Sequence, residues 1–197
     1  MTVYDLKPAF QNLLRPLAGR LVRKGITPNA VTLAALMLSL LAAGAVALGG
    51  GAAWSLLALP VVLFVRMALN ALDGIMAKEY GLTSRLGAYL NELGDWLSDT
   101  VLILALAFVP GVSLRSAALF ALGAGLSEFA GVLGAAVGSG RRYDGPMGKS
   151  DRALFLGIFA LLSGLGILPA GWGDPLVALA AALTLPTTWN RIRGGLR

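Results

Sequence analysis

Long apolar stretches alternate with short polar breaks along this chain. Six of them, residues 30–49, 53–77, 86–110, 114–138, 152–169 and 175–193, each hold roughly 20 residues, the length a helix needs to cross a hydrocarbon core. Gly49-Gly50-Gly51, Pro110-Gly111, Gly138 to Gly140 and Pro169 to Gly173 supply the breaks. The pattern predicts an all-α integral membrane protein with about six transmembrane helices, forming one membrane domain over 1–197. Residues 1–24 have a different rhythm. Leu6, Phe10, Leu13, Leu14, Leu17 and Leu21 recur at helical spacing, with Lys7, Arg15, Arg20, Arg23 and Lys24 among and after them. That is the pattern of an amphipathic helix in the headgroup region rather than a cleaved leader; an ordinary packed helix with a basic face is the alternative. Gly25-Ile26-Thr27-Pro28-Asn29 breaks the chain, and Thr27 or Asn29 is placed to cap the first span of the 30–193 bundle.

Between residues 70 and 99 the apolar pattern carries a file of polar positions. Asn70, Asp73 and Ala77 fall at i, i+3 and i+7, and Gly87, Asn91, Asp95 and Asp99 follow at intervals of four. Both spacings put side chains on one helical face. The flanking runs Trp54 to Val65 and Val101 to Val109 carry no charge. Carboxylates next to such runs are costly unless they pair, hold a cation or line a wet cavity. The second and third spans are long enough to protrude from the bilayer, with the file on the protruding ends. Antiparallel packing would set Asn70 and Asp73 opposite Asn91 and Asp95.

Composition narrows the chemistry. The 197 residues are 57% hydrophobic and 13% charged, far below the charged share of a soluble domain. Mean hydropathy is +0.77. There is no cysteine and no histidine, which excludes disulfides, thiolate chemistry and sulfur-ligated metal. A general base must then be a carboxylate. A metal must be a hard, oxygen-bound cation, Mg²⁺ or Mn²⁺ rather than Zn²⁺. The net charge of +6 has a topological origin and does not call for nucleic acid. Fourteen of the 16 basic residues lie in the amino-terminal segment, the loops after spans two and four, and the tail; Arg66 lies within a span and Arg115 on the other side. That asymmetry puts both termini and the polar file on the cytoplasmic face of a bacterial-type inner membrane.

The facing amides and carboxylates make an oxygen-only cage suited to a divalent cation, which in turn can hold a phosphate. Structural pairing of Asp73 or Asp95 with Arg66 or Lys78 is the competing reading. Gly74 and Gly87 each remove a side chain within a turn of the cage, so a bulky ligand can approach the backbone. Asn70, Asp73, Gly74, Ala77, Lys78, Gly87, Asn91 and Asp95 match, in position and spacing, the pattern D-x2-D-G-x2-A-R-x8-G-x3-D-x3-D. In this the chain resembles the CDP-alcohol phosphatidyltransferases, membrane enzymes that move a phosphoalcohol group from a CDP-linked donor to an alcohol. The basic amino-terminal helix, the Thr27-Pro28-Asn29 entry and the six spans are similar to that family's plan.

The resemblance implies that CDP-diacylglycerol is the donor, that Asn70, Asp73, Asn91 and Asp95 hold Mg²⁺ or Mn²⁺, and that Asp95 is the general base. It also implies that Gly74, Ala77 and Lys78 border the nucleotide. Three positions depart from the pattern. Asparagine replaces aspartate at 70 and 91, and Lys78 replaces arginine. Where four carboxylates would bind two cations, two amides leave the cage short of charge. Glu92, at i, i+3 and i+7 with Asp95 and Asp99, is a candidate compensating ligand; its alternative is a site facing headgroups.

The segment Ser139 to Arg152 joins spans four and five on the same side and carries Arg141, Arg142, Lys149 and Arg152. Alone this is ordinary positive-inside charge. In family members with phosphorylated acceptors this region supplies the phosphate pocket, which makes glycerol 3-phosphate the first expectation for the acceptor. Inositol phosphate comes next, and serine or another alcohol without a phosphate last. Glu128, mid-span, needs a partner, and Arg66 is the candidate. Expected partners are CDP-diacylglycerol, a small alcohol and membrane lipids, without nucleic acid; a homodimer is left open. Two rivals remain: a catalytically weakened relative that binds metal and CDP-lipid without turnover, and a small cation-coupled transporter. The transporter lacks the internal repeat such proteins often show.

Overall fold

A computed structural model describes residues 3–197, with side chains from residue 9 onward. Leu6 and Lys7, counted above in the amphipathic pattern, therefore have side chains outside the described residues. Among the described residues every regular element is helical: α1 (Val3–Arg23), α2 (Pro28–Leu48), α3 (Ala53–Glu79), α4 (Arg85–Ala105) followed by a 3₁₀ turn (Leu106–Phe108), α5 (Leu114–Ala136), α6 (Lys149–Gly164) and α7 (Gly173–Gly195). The chain forms two compact units, Met1–Ser39 with Val62–Leu97, and Leu40–Val61 with Ser98–Arg197.

In the first unit α1 packs through Leu14 and Ala18 against Leu72, Ile75 and Met76 of α3 and Val31 of α2. Phe10 meets Phe64 edge-on, ring centroids 5.9 Å apart. Full burial of each large side chain here contributes about 1.5–3 kcal/mol. Leu13 and Leu17 face outward, Leu13 with 74% of its surface open. The helix thus packs one face on α3 and leaves another apolar face exposed. Gly25 turns the chain at φ 75°. Thr27 is the cap: its Oγ1 accepts from the Ala30 amide at 3.2 Å, and Pro28 takes the first helical position, where no amide donor is needed.

In the second unit α5 lies along α7. Gly123 makes the approach close, since a Cβ there would overlap the Thr184 side chain. Aromatic contacts run from α5 into α6, with Phe120 and Phe155 at 5.6 Å and Phe155 and Phe159 at 5.9 Å. Leu122, Leu126, Phe129 and Leu133 form an exposed apolar stripe down α5, as a lipid-facing helix requires. The α5 start is capped by Ser113, whose Oγ accepts from Ser116 N at 3.1 Å; Ser113 N in turn donates to the Asp174 carboxylate at 2.8 Å.

The helices occupy the expected stretches, with three differences at their ends. The third stops at Ala105, not at 110, because Pro110 pushes Val109 into extended backbone (φ −81°, ψ 128°). The fifth begins at Lys149, where Asp151 accepts from the Gly148 amide at 3.0 Å, and it ends at Gly164 with Gly166 turning left-handed at φ 67°. Lys149 and Arg152 therefore sit on a helix and not on a loop. By length and composition, α2, α3 and α5 are apolar enough to cross a membrane. The polar file dilutes α4 and three charges dilute α7, while the 16 residues of α6 reach only about 24 Å.

Candidate active site

The polar file of the first unit lies where α3 ends and α4 begins. Gly81 turns the connection at φ 68°, and Ser84 Oγ accepts from Gly87 N at 2.9 Å to start α4. Across the two helices Asn70 Nδ2 donates to Asp95 Oδ1 at 3.2 Å. Arg66, one turn before Asn70, brings Nη2 to 3.6 Å from the same oxygen and donates to the Asp95 backbone carbonyl at 3.4 Å. The Arg66 side chain is 4% exposed, so this ion pair is largely shielded from water. Asp73, one turn after Asn70, is buried and accepts a 2.6 Å hydrogen bond from Thr32 of α2. Asn91 and Glu92 are half-buried on α4, Ala77 is half-buried on α3, and Lys78 is exposed at its end.

The two glycines do different work. A Cβ at Gly74 would meet nothing within 4 Å, so the backbone there opens onto free space. At Gly87 a Cβ would lie 2.8 Å from Asn29 Oδ1, so this glycine admits Asn29 and not a ligand. The sequence offered Asn29 as a cap candidate and not as a neighbour of Gly87, and it did not single out Thr32, which lies off the file. As a donor set, two carboxylates and two amides suit a hard cation in type. Among the described residues no three carboxylates are gathered as a metal cluster.

The second unit gathers arginines around Glu128 of α5. Its carboxylate takes Arg152 Nη2 at 2.6 Å, Arg141 Nη2 at 3.1 Å and Arg191 Nη1 at 3.3 Å. Arg152, only 1% exposed, also grips Asp99 at 2.8 Å and donates to the Met147 carbonyl at 3.0 Å. Arg191 donates to the Ser127 carbonyl at 2.6 Å. Arg142 pairs with Asp144 at 2.9 Å, Arg141 lies over the Tyr143 ring at 5.1 Å, and Lys149 is half-buried at the head of α6. A cleft of about 600 Å³ opens beside Arg142, lined also by Ser139, Asp144, Asn190, Arg193 and Arg197.

The pairing of Glu128 with Arg66 is corrected by this arrangement. Glu128 answers to Arg141, Arg152 and Arg191, and Arg66 answers to Asp95. The sequence counted Arg191 as tail charge. Its place inside an expected span was the available signal that it needed an interior partner.

Residues 25–189 match the CDP-alcohol phosphatidyltransferase family. The inner membrane protein YnbA of Escherichia coli is 44% identical over 196 residues, covering 100% of this chain and 97% of that protein. The phosphatidylinositol phosphate synthase of Mycolicibacterium smegmatis is 32% identical, covering 95% and 86%. The archaetidylinositol phosphate synthase of Pyrococcus horikoshii is 27% identical, covering 91% and 90%. Crystal structures of the Mycobacterium tuberculosis phosphatidylinositol phosphate synthase share the fold at 23% identity. The form with CDP-DAG bound gives a TM-score of 0.75 and covers 91% of this chain and 92% of that one; the form in complex with manganese and citrate gives 0.76, covering 92% and 88%. By these matches this chain is a membrane enzyme of the CDP-alcohol phosphatidyltransferase family.

Proposed function

We propose that the enzyme transfers the phosphatidyl group of CDP-diacylglycerol to a phosphorylated alcohol and releases CMP at the cytoplasmic face of an inner membrane. Asn70, Asp73, Asn91 and Asp95 would hold Mg²⁺ or Mn²⁺, which supplies charge neutralisation at the donor pyrophosphate and the departing CMP. Gly74 leaves room beside the backbone for the nucleotide, with Ala77 and Lys78 at its border. Asp95 takes the proton of the attacking hydroxyl; the new P–O bond forms as the bond to CMP breaks. Asn70 and Arg66 orient its carboxylate for that transfer.

The observation that carries the phosphorylated acceptor is the convergence of Arg141, Arg152 and Arg191 on the single carboxylate of Glu128. Such a concentration of shielded guanidinium suits a phosphate dianion. Arg142 and Lys149 would add donors at its edge. Inositol phosphate now ranks ahead of glycerol 3-phosphate, because two of the relatives are synthases of inositol phosphate lipids.

Charge-assisted contacts are each worth about 1.5–3 kcal/mol, so losing one weakens binding by roughly tenfold to a hundredfold. Arg142→Gln and Lys149→Gln should therefore raise the acceptor's apparent KM by that factor and leave that of CDP-diacylglycerol nearly unchanged. Equal effects on both substrates, or none, would reduce the cluster to a topology signal and favour an acceptor without a phosphate.

A further inference from the structure

The polar file bears on how many cations the cage accepts. Asp95 Oδ1 already receives two donors, the Asn70 amide at 3.2 Å and the Arg66 guanidinium at 3.6 Å. Next to a carboxylate oxygen the amide must present its NH₂, because its carbonyl would repel it. Asn70 Oδ1, its single acceptor atom, is then turned away from Asp95, so a hydrogen bond and not a shared ion holds this pair together. Two carboxylates at these positions would repel and call for a cation; the amide bridges the gap without one.

Arg66 adds a fixed positive charge. A guanidinium does not give up its proton in a protein, and here it is 4% exposed. A divalent ion on the same oxygen would face that charge at short range with little water to screen it. Asp73 stands otherwise. It lies one turn away and receives the neutral hydroxyl of Thr32. The net charge of Asp73, Asp95 and Arg66 together suffices to balance part of one divalent ion, with the donor pyrophosphate supplying the rest. A second ion would need negative charge beyond these three groups.

We infer that the cage holds one divalent cation, on the Asp73 side, and that Arg66 stands where a second cation would act on Asp95. The inference rests on the metal-assisted transfer proposed above and specifies its stoichiometry. Arg66 is accordingly a positioning residue for Asp95.

Mn²⁺ titration of the purified protein, followed by electron paramagnetic resonance with CDP-diacylglycerol present, tests this without reference to turnover. One Mn²⁺ per chain with an uncoupled signal is expected. Two per chain with spin coupling would overturn the inference and leave the transferase reading intact, whereas no bound Mn²⁺ would overturn the metal cage itself. Arg66→Met combined with Asn70→Asp should admit a second Mn²⁺, while Arg66→Lys with Asn70→Asp should keep the number at one. An unchanged count in the folded Met combination would remove Arg66 from the account. If that combination fails to fold, the count in the unaltered protein and in the lysine combination still decides it.

Discussion

Asp95 shows how chemistry and stability are tied together at single residues. Its carboxylate is the proposed base and also the counter-ion of a shielded arginine. Asp95→Asn should abolish CMP release, but breaking a buried pair also costs about 3–5 kcal/mol. Adding Arg66→Met should restore the thermal stability of the folded protein without restoring transfer. Recovery of near-normal turnover in the double variant would refute the base assignment. Thr32→Val, which strips the hydroxyl from Asp73, should lower stability by about 1–3 kcal/mol and alter Mn²⁺ affinity. Spacing alone put Asn70 and Asp95 on facing sides of their helices, because helical periodicity converts directly into a shared face, and the two meet at 3.2 Å. It paired Glu128 with Arg66 wrongly, because periodicity says nothing about which helix faces which. The Thr32 bond to Asp73 and Gly87's contact with Asn29 were invisible for the same reason, whereas Arg191 carried a signal in its place inside an expected span.

Among the elements, helix ends were less legible than helices. The six apolar runs all became helices, since a long apolar run can satisfy its backbone only by internal hydrogen bonds. Their ends depended on local chemistry: the proline after Val109, and the Asp151 side chain reaching back to Gly148. Packing of α5 on α7 rests on small residues, and Gly123→Ala should destabilise the protein by about 1–3 kcal/mol through the clash with Thr184. Combining it with Thr184→Ala should recover most of that loss in thermal melts, and failure to do so would mean that the contact is not what fixes the spacing. At the head of α7, before its expected span, the backbone amide of Ser113 holds the exposed Asp174 carboxyl below the ordinary carboxylate range. Its contribution is present above the unfolded value and is lost as pH falls through the lowered one. Asp174→Asn should thus lower stability at neutral pH and flatten its fall below about pH 4, where the two proteins converge.

For the whole molecule, composition pointed to a membrane protein limited to oxygen-only chemistry before any contact was known, and the polar file with its family resemblance pointed to an enzyme. Absence of histidine and cysteine left carboxylates as the available bases and hard cations as the available metals. The identity of the acceptor was not legible, because it depends on how charges from distant parts of the chain converge. Glu128 and Arg191 are 63 residues apart in sequence and 3.3 Å apart in space. The central claim is transfer of a phosphatidyl group to an alcohol that already carries a phosphate. Its most direct test is to give the purified protein CDP-diacylglycerol, Mn²⁺ and, in separate reactions, inositol phosphate, glycerol 3-phosphate, inositol, glycerol and serine, then measure CMP release and the mass of the lipid formed. The account predicts CMP release with a phosphorylated acceptor, fastest with inositol phosphate, and a lipid heavier by that acceptor with its phosphate retained. Equal transfer to the unphosphorylated alcohols, or CDP-lipid binding with no CMP released from any of them, would contradict it.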